Sequence, residues 1–485
     1  MSRIYEKLKF YADQTPDHVA FTYREGEQYQ TLGYDLLKQY VDSLAAHLCS
    51  YRGKTIAIIG NNKLEYAVAL LSILSHVGNA FLIDKELSKE DIKGIFKQKK
   101  PDLILLDDEI NHAFEEYTVW RFCEIHDMMT KGRMFDGADA FAGQLILHTS
   151  GTTGEPKCVQ LTEENYYGVI PELNRKWGVV QEHSCLFIIP LYHIYALVSL
   201  FHGLYAGINN ILEWNYKRIG QVLKETKPHL FMGVPLMYNR IKDAALGKAG
   251  KKLEMAIKVS NLLRKCGIDV RKKWFHEIHA YFGGNYVFGV SAGSLLPYET
   301  GRFFEDIGLP VYNVYGMTET SGPVAINYKG HNRYDSVGEI LEINQVHILE
   351  KDADGVGRIC VKGSNVFGGY LGKEFDDPSS GKGVYFETGD RGYVKDGYLY
   401  VLGRERSILI GSNGKNISQE ELRRKFLEYP GIHDCNVIMT EDMLIALVNT
   451  ELGEDEVRKC LDHVNRKLPR YKRVSDIRVT HKKLK

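Results

Sequence analysis

The sequence predicts an α/β fold: a large N-terminal domain of layered sheets and helices, followed by a small α+β C-terminal domain. Three observations lead to this prediction. Short apolar runs alternate with helix-like segments until about Asp335. Short strands and glycine turns then take over, and a charged break at residues 403–407 precedes a last αβ segment. Strands joined by helical crossovers form parallel sheets that are buried on both faces.

The N-terminal region contains the clearest alternation. Apolar runs at residues 55–59, 80–83 and 103–106 have the length of buried strands. Residues 61–76 repeat leucine and valine at helical spacing, and residues 89–99 are also helix-like. We therefore expect a parallel sheet here.

The middle of the chain continues the pattern. Further strands are predicted at residues 144–148, 186–189, 229–232, 286–290 and 311–314, with a charged helical stretch at 244–279. Residues 184–212 contain no Asp, Glu, Lys or Arg, a length that could span a bilayer. Because Pro190, His193 and two glycines interrupt this stretch, a strand, a turn and a buried helix explain it better than a membrane helix.

The C-terminal part is expected to separate as its own domain. Strands are predicted at residues 345–349, 357–361 and 398–402. We place the boundary after Gly403, giving domains 1–403 and 404–485. The Gly-Arg-Glu-Arg segment is a weak linker signal, so the residues alone leave one continuous α+β domain open.

Composition limits the class of protein. The 485 residues suggest two to four domains, and 44% hydrophobic with 26% charged residues describes a soluble globular chain. Sixty-two basic residues balance sixty-two acidic ones, which argues against a nucleic-acid partner. Eight cysteines without a C-x-x-C pair and an N-terminus unlike a signal peptide favour a reducing, cytoplasmic location. We expect no transmembrane segment and at most peripheral membrane contact.

Residues 149–157 read Thr-Ser-Gly-Thr-Thr-Gly-Glu-Pro-Lys and are the most informative stretch. Glycines allow backbone N–H groups to approach an anion, hydroxyls add donors, and Lys157 adds a positive charge. The loop follows a predicted strand, and it differs from the G-x-x-x-x-G-K-[ST] loop. A flexible surface turn is the alternative, but plain turns seldom combine these residues. The candidate phosphate-binding residues are Thr149, Ser150, Gly151, Thr152, Thr153, Gly154 and Lys157.

Four further motifs follow in order. They are Tyr315-Gly-Met-Thr-Glu-Thr320, Tyr385-Phe-Glu-Thr-Gly-Asp390, Gly403-Arg404 and residues 411–421. Together with residues 149–157, they resemble the motifs of the adenylate-forming (AMP-binding) superfamily. The segments Gly233-Val-Pro-Leu and Gly289-Val-Ser-Ala-Gly resemble its long-chain fatty-acyl-CoA synthetase and acyl-ACP synthetase branch.

The resemblance implies roles for individual residues. Glu319 would be the magnesium ligand beside the phosphate loop, although taken alone it is better explained as an acid at a helix N-terminus capped by Thr318. The other nucleotide-binding residues implied are Ser291, Ala292, Gly293, Tyr315, Gly316, Thr318, Asp390 and Arg404, with Asp390 on the ribose. Lys157, Thr318, Glu319 and His193 would be catalytic. His193 resembles a position beside the acyl carboxylate, while a lone histidine among apolar residues is usually structural.

The resemblance also implies a reaction in two half-steps and a mobile C-terminal domain. ATP with Mg²⁺ and a carboxylic acid give acyl-AMP, which a thiol then attacks, most readily that of CoA. An acid without an amino group is expected because the chain lacks the aspartate of amino-acid-activating relatives. A medium or long fatty chain is expected because of the long-chain-branch motifs and apolar neighbours such as Val290 and Val314. Alternatives are loading of the phosphopantetheine of an acyl carrier protein, and a nucleotide-binding regulator without chemistry. The family's C-terminal lysine has no match here, since Lys482, Lys483 and Lys485 come too early, so we expect a chain cut before that segment.

Overall fold

The chain forms two compact units. The computed structural model describes residues 2–133, 142–149, 157–371, 385–405, 408–410, 416–440, 443–468 and 472–480. The first unit comprises Met1–Gln345 and Lys362–Tyr385, and the second comprises Val346–Val361 and Phe386–Lys485. The domain boundary expected after Gly403 stays a prediction.

The described helices are as follows. They are α1 Arg3–Gln14, α2 Tyr34–His47, α3 Leu64–Ser72, α4 Lys89–Gln98, α5 Phe122–Thr130, α6 Glu163–Gly168, α7 Ile170–Trp177, α8 Ile194–Ala206, α9 Ile219–Thr226, α10 Pro235–Lys265 (kinked at Gly250), α11 Arg271–Trp274, α12 His276–Tyr281, α13 Tyr298–Asp306, α14 Gln419–Leu427 and α15 Glu454–Arg466. Short 3₁₀ turns lie at Cys49–Tyr51, Tyr216–Arg218 and Thr318–Thr320, and a π turn at Ile73–Val77.

The described strands are as follows. They are β1 Val19–Glu25, β2 Gln28–Gly33, β3 Thr55–Ile59, β4 Asn79–Ile83, β5 Leu103–Leu106, β6 Val119–Arg121, β7 Leu145–Thr149, β8 Lys157–Leu161, β9 Ser184–Phe187, β10 Asn209–Leu212, β11 Leu230–Gly233, β12 Phe288–Ser291, β13 Val311–Met317, β14 Gly322–Ile326, β15 Gly338–Ile340, β16 Asn344–Leu349, β17 Gly357–Gly363, β18 Phe386–Lys395, β19 Tyr398–Arg404, β20 Ile408–Ile410, β21 Asn416–Ser418, β22 Ile432–Thr440, β23 Met443–Thr450 and β24 Asp476–Val479.

Two sheets of mainly parallel strands build the first unit, which confirms the predicted α/β class. One runs in the order β15-β14-β13-β12-β11-β9-β10-β1-β2, and its central strands from β13 to β1 are parallel. The other runs β6-β5-β3-β4-β7-β8, with only β8 antiparallel. Its strands β3 and β5 are fully buried. Helix α4 covers the sheet, and its Ile92 and Phe96 share a core cluster with Phe81.

The elements predicted from apolar runs are largely present, with one instructive difference. The helix predicted from residue 61 begins at Leu64 instead. Asp107 accepts hydrogen bonds from both the backbone and the side chain of Asn61, and the Asn62 amide donates to the Ile189 carbonyl. These side-chain bonds hold residues 61 and 62 in a loop at the carboxyl end of β3, so the helix starts one turn later.

The charge-free stretch at 184–212 forms β9, α8 and β10, as the interruptions in the sequence indicate. Helix α8 ends at Gly207, whose φ of 71° is the left-handed conformation that favours glycine at this position. Over the described ranges, no helix has both the length and the apolar character needed to cross a bilayer.

The described strands of the second unit fall into three groups. Strands β17, β18 and β19 pair antiparallel. A separate sheet has the order β22-β23-β24, and it packs with α14 and α15 around Phe426, Val437, Val448 and Val464. Strands β20 and β21 form an antiparallel pair.

Candidate functional site

Two neighbouring parallel strands end where the sequence predicts adenine-binding residues. Strand β12 ends at Ser291, which pairs with Asn313 on β13. Strand β13 continues to Tyr315 and Gly316. The segment that follows Ser291 therefore lies at the same sheet edge as Tyr315. Carboxyl ends of parallel strands are where open α/β sheets bind ligands.

The backbone at this edge is open to solvent at Gly293 and crowded at Gly316. Gly293 has φ of 85°, and a Cβ atom there would meet nothing within 4 Å. By contrast, a Cβ on Gly316 would lie 2.0 Å from the Gly322 carbonyl oxygen, so β13 and β14 approach too closely for any side chain. Ala292 is buried beside them, and the buried Ser291 hydroxyl has no partner among the described residues. An orphaned buried hydroxyl beside open space fits the binding of a nucleoside.

Glu319 lies in the Thr318–Thr320 turn directly after β13 and is only 7% exposed. The Tyr370 hydroxyl donates to Glu319 Oε1 at 2.8 Å, and the Phe367 N–H donates to the Glu319 carbonyl at 2.8 Å. The turn leads into strand β14 and not into an α-helix, so Thr318 and Glu319 do not lie at the start of such a helix as the alternative interpretation required. A buried carboxylate at a strand end fits a magnesium ligand.

Lys157 lies at the first position of β8. This strand pairs antiparallel with β7, and Thr149 is opposite Lys157. The Lys157 Nζ atom is 4.9 Å from the centre of the Tyr370 ring, a cation–π distance. Residues 150–156, which include the predicted Ser150, Gly151, Thr152, Thr153 and Gly154, lie outside the described residues.

Tyr370 is a contact residue that sequence reasoning missed. Its ring lies against the Lys157 ammonium and its hydroxyl bonds the Glu319 carboxylate. In the sequence it follows two glycines in Phe-Gly-Gly-Tyr, a pattern that resembles an ordinary turn. The three side chains come from segments separated by at least fifty residues, so only the fold brings them together.

His193 belongs to a second cluster, next to β7. It precedes α8, and its ring is 4.6 Å from that of Tyr192. Its side chain is accessible to solvent, yet surrounding protein atoms desolvate the imidazole and lower the pKa of His193, an effect that Asp84 opposes. An accessible but poorly solvated imidazole indicates a cleft rather than an open surface.

His148, which sequence reasoning also missed, faces the same region. The Asp84 backbone N–H donates to His148 Nε2 at 3.0 Å. Since a backbone N–H can only donate, Nε2 carries no proton and the ring is neutral, with its proton on Nδ1. Desolvation lowers the pKa of His148, Asp84 opposes this, and the nearby His193 lowers it further. Two neutral imidazoles therefore lie beside the strand that leads into residues 150–156.

Asp390 and Arg404 both belong to the second unit and are paired across β18 and β19. Arg404 Nε lies 3.2 Å from Asp390 Oδ1, and Arg404 Nη1 donates to the Thr388 carbonyl at 2.8 Å. The Asp390 side chain is 9% exposed and that of Arg404 is 54% exposed. The structure thus brings these two predicted residues into one ion pair, which orients the carboxylate.

Comparison with known protein families decides the class of protein. The family described as "AMP-binding enzyme" matches residues 8–371, three quarters of the chain. The chain belongs to this AMP-binding enzyme family. This confirms the superfamily that the sequence motifs predict.

Relatives of this AMP-binding enzyme include CoA ligases of two kinds. A 2-succinylbenzoate–CoA ligase of Bacillus anthracis is 28% identical over 96% of this chain and 92% of that protein. A long-chain-fatty-acid–CoA ligase of Mycobacterium bovis is also 28% identical, over 60% of this chain and 52% of that protein. The first of these relatives thus matches along nearly the whole chain, and the second along about three fifths of it.

Solved structures have the same fold. The o-succinylbenzoate CoA synthetase of Bacillus subtilis in complex with its acyl-adenylate has a TM-score of 0.75 and 22% identity, covering 98% of this chain and 94% of that chain. An anthranilate CoA ligase in complex with anthranoyl-AMP has a TM-score of 0.80 and 17% identity, covering 99% of this chain and 93% of that chain. At these identities the likeness concerns the fold alone.

Small-molecule sites are typically mostly apolar cavities of about 300–1,000 Å³, and the first unit of this enzyme contains a cavity of about 630 Å³. It opens beside Val234, which follows β11. The last residue of β11, Gly233, pairs with Ser291 on β12, so the cavity lies one strand away from the predicted adenine edge. Its other apolar lining residues include Tyr216, Leu236, Met237, Ile241 and Tyr281.

Two further predicted features lie outside the described residues. They are residues 411–415 of the motif at 411–421, and the lysines at 482, 483 and 485. Their assignments stay predictions.

Proposed function

We propose that this AMP-binding enzyme is an AMP-forming acid–thiol ligase that produces a CoA thioester. A carboxylate oxygen of the acid attacks the α-phosphorus of ATP, and pyrophosphate leaves. The CoA thiol then attacks the acyl carbon of the acyl-AMP, and AMP leaves with the oxygen that had come from the acid. One observation carries this proposal: Tyr370 contacts both charged residues. Its ring faces the Lys157 ammonium, and its hydroxyl donates to the Glu319 carboxylate.

The predicted residues take the following roles in the proposal. Residues 149–157 bind the triphosphate, with Lys157 supplying a positive charge where charge develops on the phosphate oxygens. Glu319 holds Mg²⁺, which neutralises phosphate charge when bound. The adenine lies at the edge formed by residues 291–293 with Tyr315 and Gly316. Asp390 accepts the ribose hydroxyls, with its carboxylate oriented by Arg404.

The first candidate for the acid is 2-succinylbenzoate. Support comes from the relatives that match nearly the full chain, which are ligases of this acid. The two neutral imidazoles, His148 and His193, can donate hydrogen bonds to a carboxylate or carbonyl oxygen without adding a charge. The preference for a fatty acid, derived from the motifs, has less support along the chain, because two fatty-acid relatives cover 60% and 82% of it, against 96% and 91% for these two ligases.

A medium or long fatty acid is the second candidate because of the apolar cavity beside Val234. Each buried methylene contributes about 0.8 kcal/mol. If an acyl chain occupies this cavity, selectivity rises with chain length until the cavity is filled.

An ATP–pyrophosphate exchange assay with a panel of acids tests the proposal and separates the candidates. The panel contains 2-succinylbenzoate, benzoate, octanoate, palmitate, acetate and alanine. We expect exchange with 2-succinylbenzoate, and an optimum at octanoate or palmitate would select the second candidate. Binding of ATP without exchange for any acid would favour the regulator alternative. Supplying CoA or a phosphopantetheine-bearing carrier protein as acceptor then identifies the thiol.

A further inference from the structure

Tyr370 contacts both charged groups of the proposed phosphate and magnesium site. Its hydroxyl donates to Glu319 Oε1 at 2.8 Å, and the Lys157 ammonium lies 4.9 Å from its ring centre. Hydrogen bonds to an ionised carboxylate are stronger than neutral ones. One side chain therefore constrains an anion and a cation through different parts of its surface.

The segment that carries Tyr370 is hydrogen-bonded to the backbone on both sides. On the Glu319 side, the Asn365 side-chain amide donates to the Thr320 carbonyl at 2.9 Å and the Phe367 N–H donates to the Glu319 carbonyl. On the Lys157 side, the Leu371 N–H donates to the Cys158 carbonyl at 2.9 Å, and Tyr370 forms a β-bridge with Val159. Residues 365–371 thus connect the Glu319 turn with strand β8.

We infer that Tyr370 is a positioning residue, which holds the Glu319 carboxylate in its metal-binding orientation and the Lys157 ammonium in its phosphate-binding orientation. The inference rests on the proposed function. Anchoring Oε1 removes rotation of the carboxylate, so less conformational freedom is lost when Mg²⁺·ATP binds. The ring face restricts the flexible lysine side chain in the same way.

Two substitutions separate the two contacts. Tyr370→Phe removes the hydroxyl and keeps the ring, so only the Glu319 contact is lost. Tyr370→Leu removes both contacts. Tyr334→Phe is the matched control, because the Tyr334 hydroxyl donates to Glu305 Oε2 at the same 2.8 Å, and Glu305 is not one of the proposed site residues.

Binding of Mn²⁺ to each full-length variant, measured by electron paramagnetic resonance with the non-cleavable analogue α,β-methylene-ATP, gives a readout other than activity. Tyr370→Phe should weaken Mn²⁺ binding about tenfold, as expected for losing one hydrogen bond to a charged group. It should leave binding of the metal-free analogue unchanged, whereas Tyr370→Leu should weaken that binding as well. Tyr334→Phe should behave as wild type in both measurements.

A double-mutant cycle keeps the inference falsifiable if one variant is unstable. In a Glu319→Ala background, Tyr370→Phe should have less than about a twofold further effect, because the oxygen that accepts the hydrogen bond is already absent. Additive effects, or wild-type Mn²⁺ binding by Tyr370→Phe, would overturn the inference. Failure of the wild-type protein to exchange pyrophosphate with any acid would instead count against the proposed function. The Mn²⁺ measurements would still test whether Tyr370 positions Glu319 and Lys157.

Discussion

Replacing Lys157 by alanine distinguishes a phosphate-binding lysine from a structural one, because the two roles predict effects of different size. Lys157 begins strand β8 and is only partly buried, and its described side-chain contact is the ring of Tyr370 at 4.9 Å. A cation–π contact at such a site is worth about 0.5–1 kcal/mol, so the melting temperature should fall by about 2 °C or less. Loss of one preorganised charge contact in the transition state should lower pyrophosphate exchange about a hundredfold.

Lys7→Ala is the matched control. The Lys7 ammonium lies 4.7 Å from the ring centre of Tyr205, so this variant loses a contact of the same kind outside the proposed site. Both variants should melt close to wild type, and only Lys157→Ala should lose exchange activity. Exchange by Lys157→Ala within twofold of wild type would refute the assignment of residues 149–157 to phosphate binding.

Three further predictions concern metal, acid and pH. Glu319→Gln should raise the magnesium concentration needed for half-maximal exchange, because the amide is nearly isosteric but uncharged; a magnesium titration that overlays wild type would contradict this. His193→Ala should raise the KM for the acid about tenfold through loss of one hydrogen bond, with the KM for ATP unchanged; equal changes in both would indicate a structural role. Burial lowers the pKa of His202 to about 4, against about 6.5 in the unfolded chain. The unfolded state therefore binds the proton more readily, so acidification from about pH 6.5 towards 4 should remove about 3 kcal/mol of stability. Urea unfolding of wild type and His202→Gln across this range should diverge, and parallel profiles would disprove the assignment.

The sequence predicts those elements that depend on local pattern. The runs at residues 55–59 and 103–106 become β3 and β5 because continuous apolar side chains are buried on both faces of a parallel sheet. The start of α3 is missed because Asp107, more than forty residues away, accepts the hydrogen bonds of Asn61. Such a long-range contact leaves no periodic signal.

The residues of the candidate site also fall into two groups, those that the sequence identifies and those that only the structure reveals. Motif residues such as Glu319, Asp390 and Arg404 are recognisable because their residue types and order are unusual together. Tyr370 and His148 are not, since a tyrosine after two glycines and a histidine at a strand end are common in any chain. Their significance depends on contacts with Glu319, Lys157 and Asp84, which only the folded structure provides.

Isotope transfer tests the central claim, formation of an acyl-AMP from a carboxylic acid, most directly. The full-length protein is incubated with ATP, Mg²⁺, CoA and 2-succinylbenzoate, or whichever acid supports exchange, labelled with ¹⁸O in its carboxylates, and the AMP is analysed by mass spectrometry. Attack of a carboxylate oxygen on the α-phosphorus predicts one ¹⁸O atom in each AMP molecule. Unlabelled AMP, or ADP as the nucleotide product, would contradict the proposed chemistry.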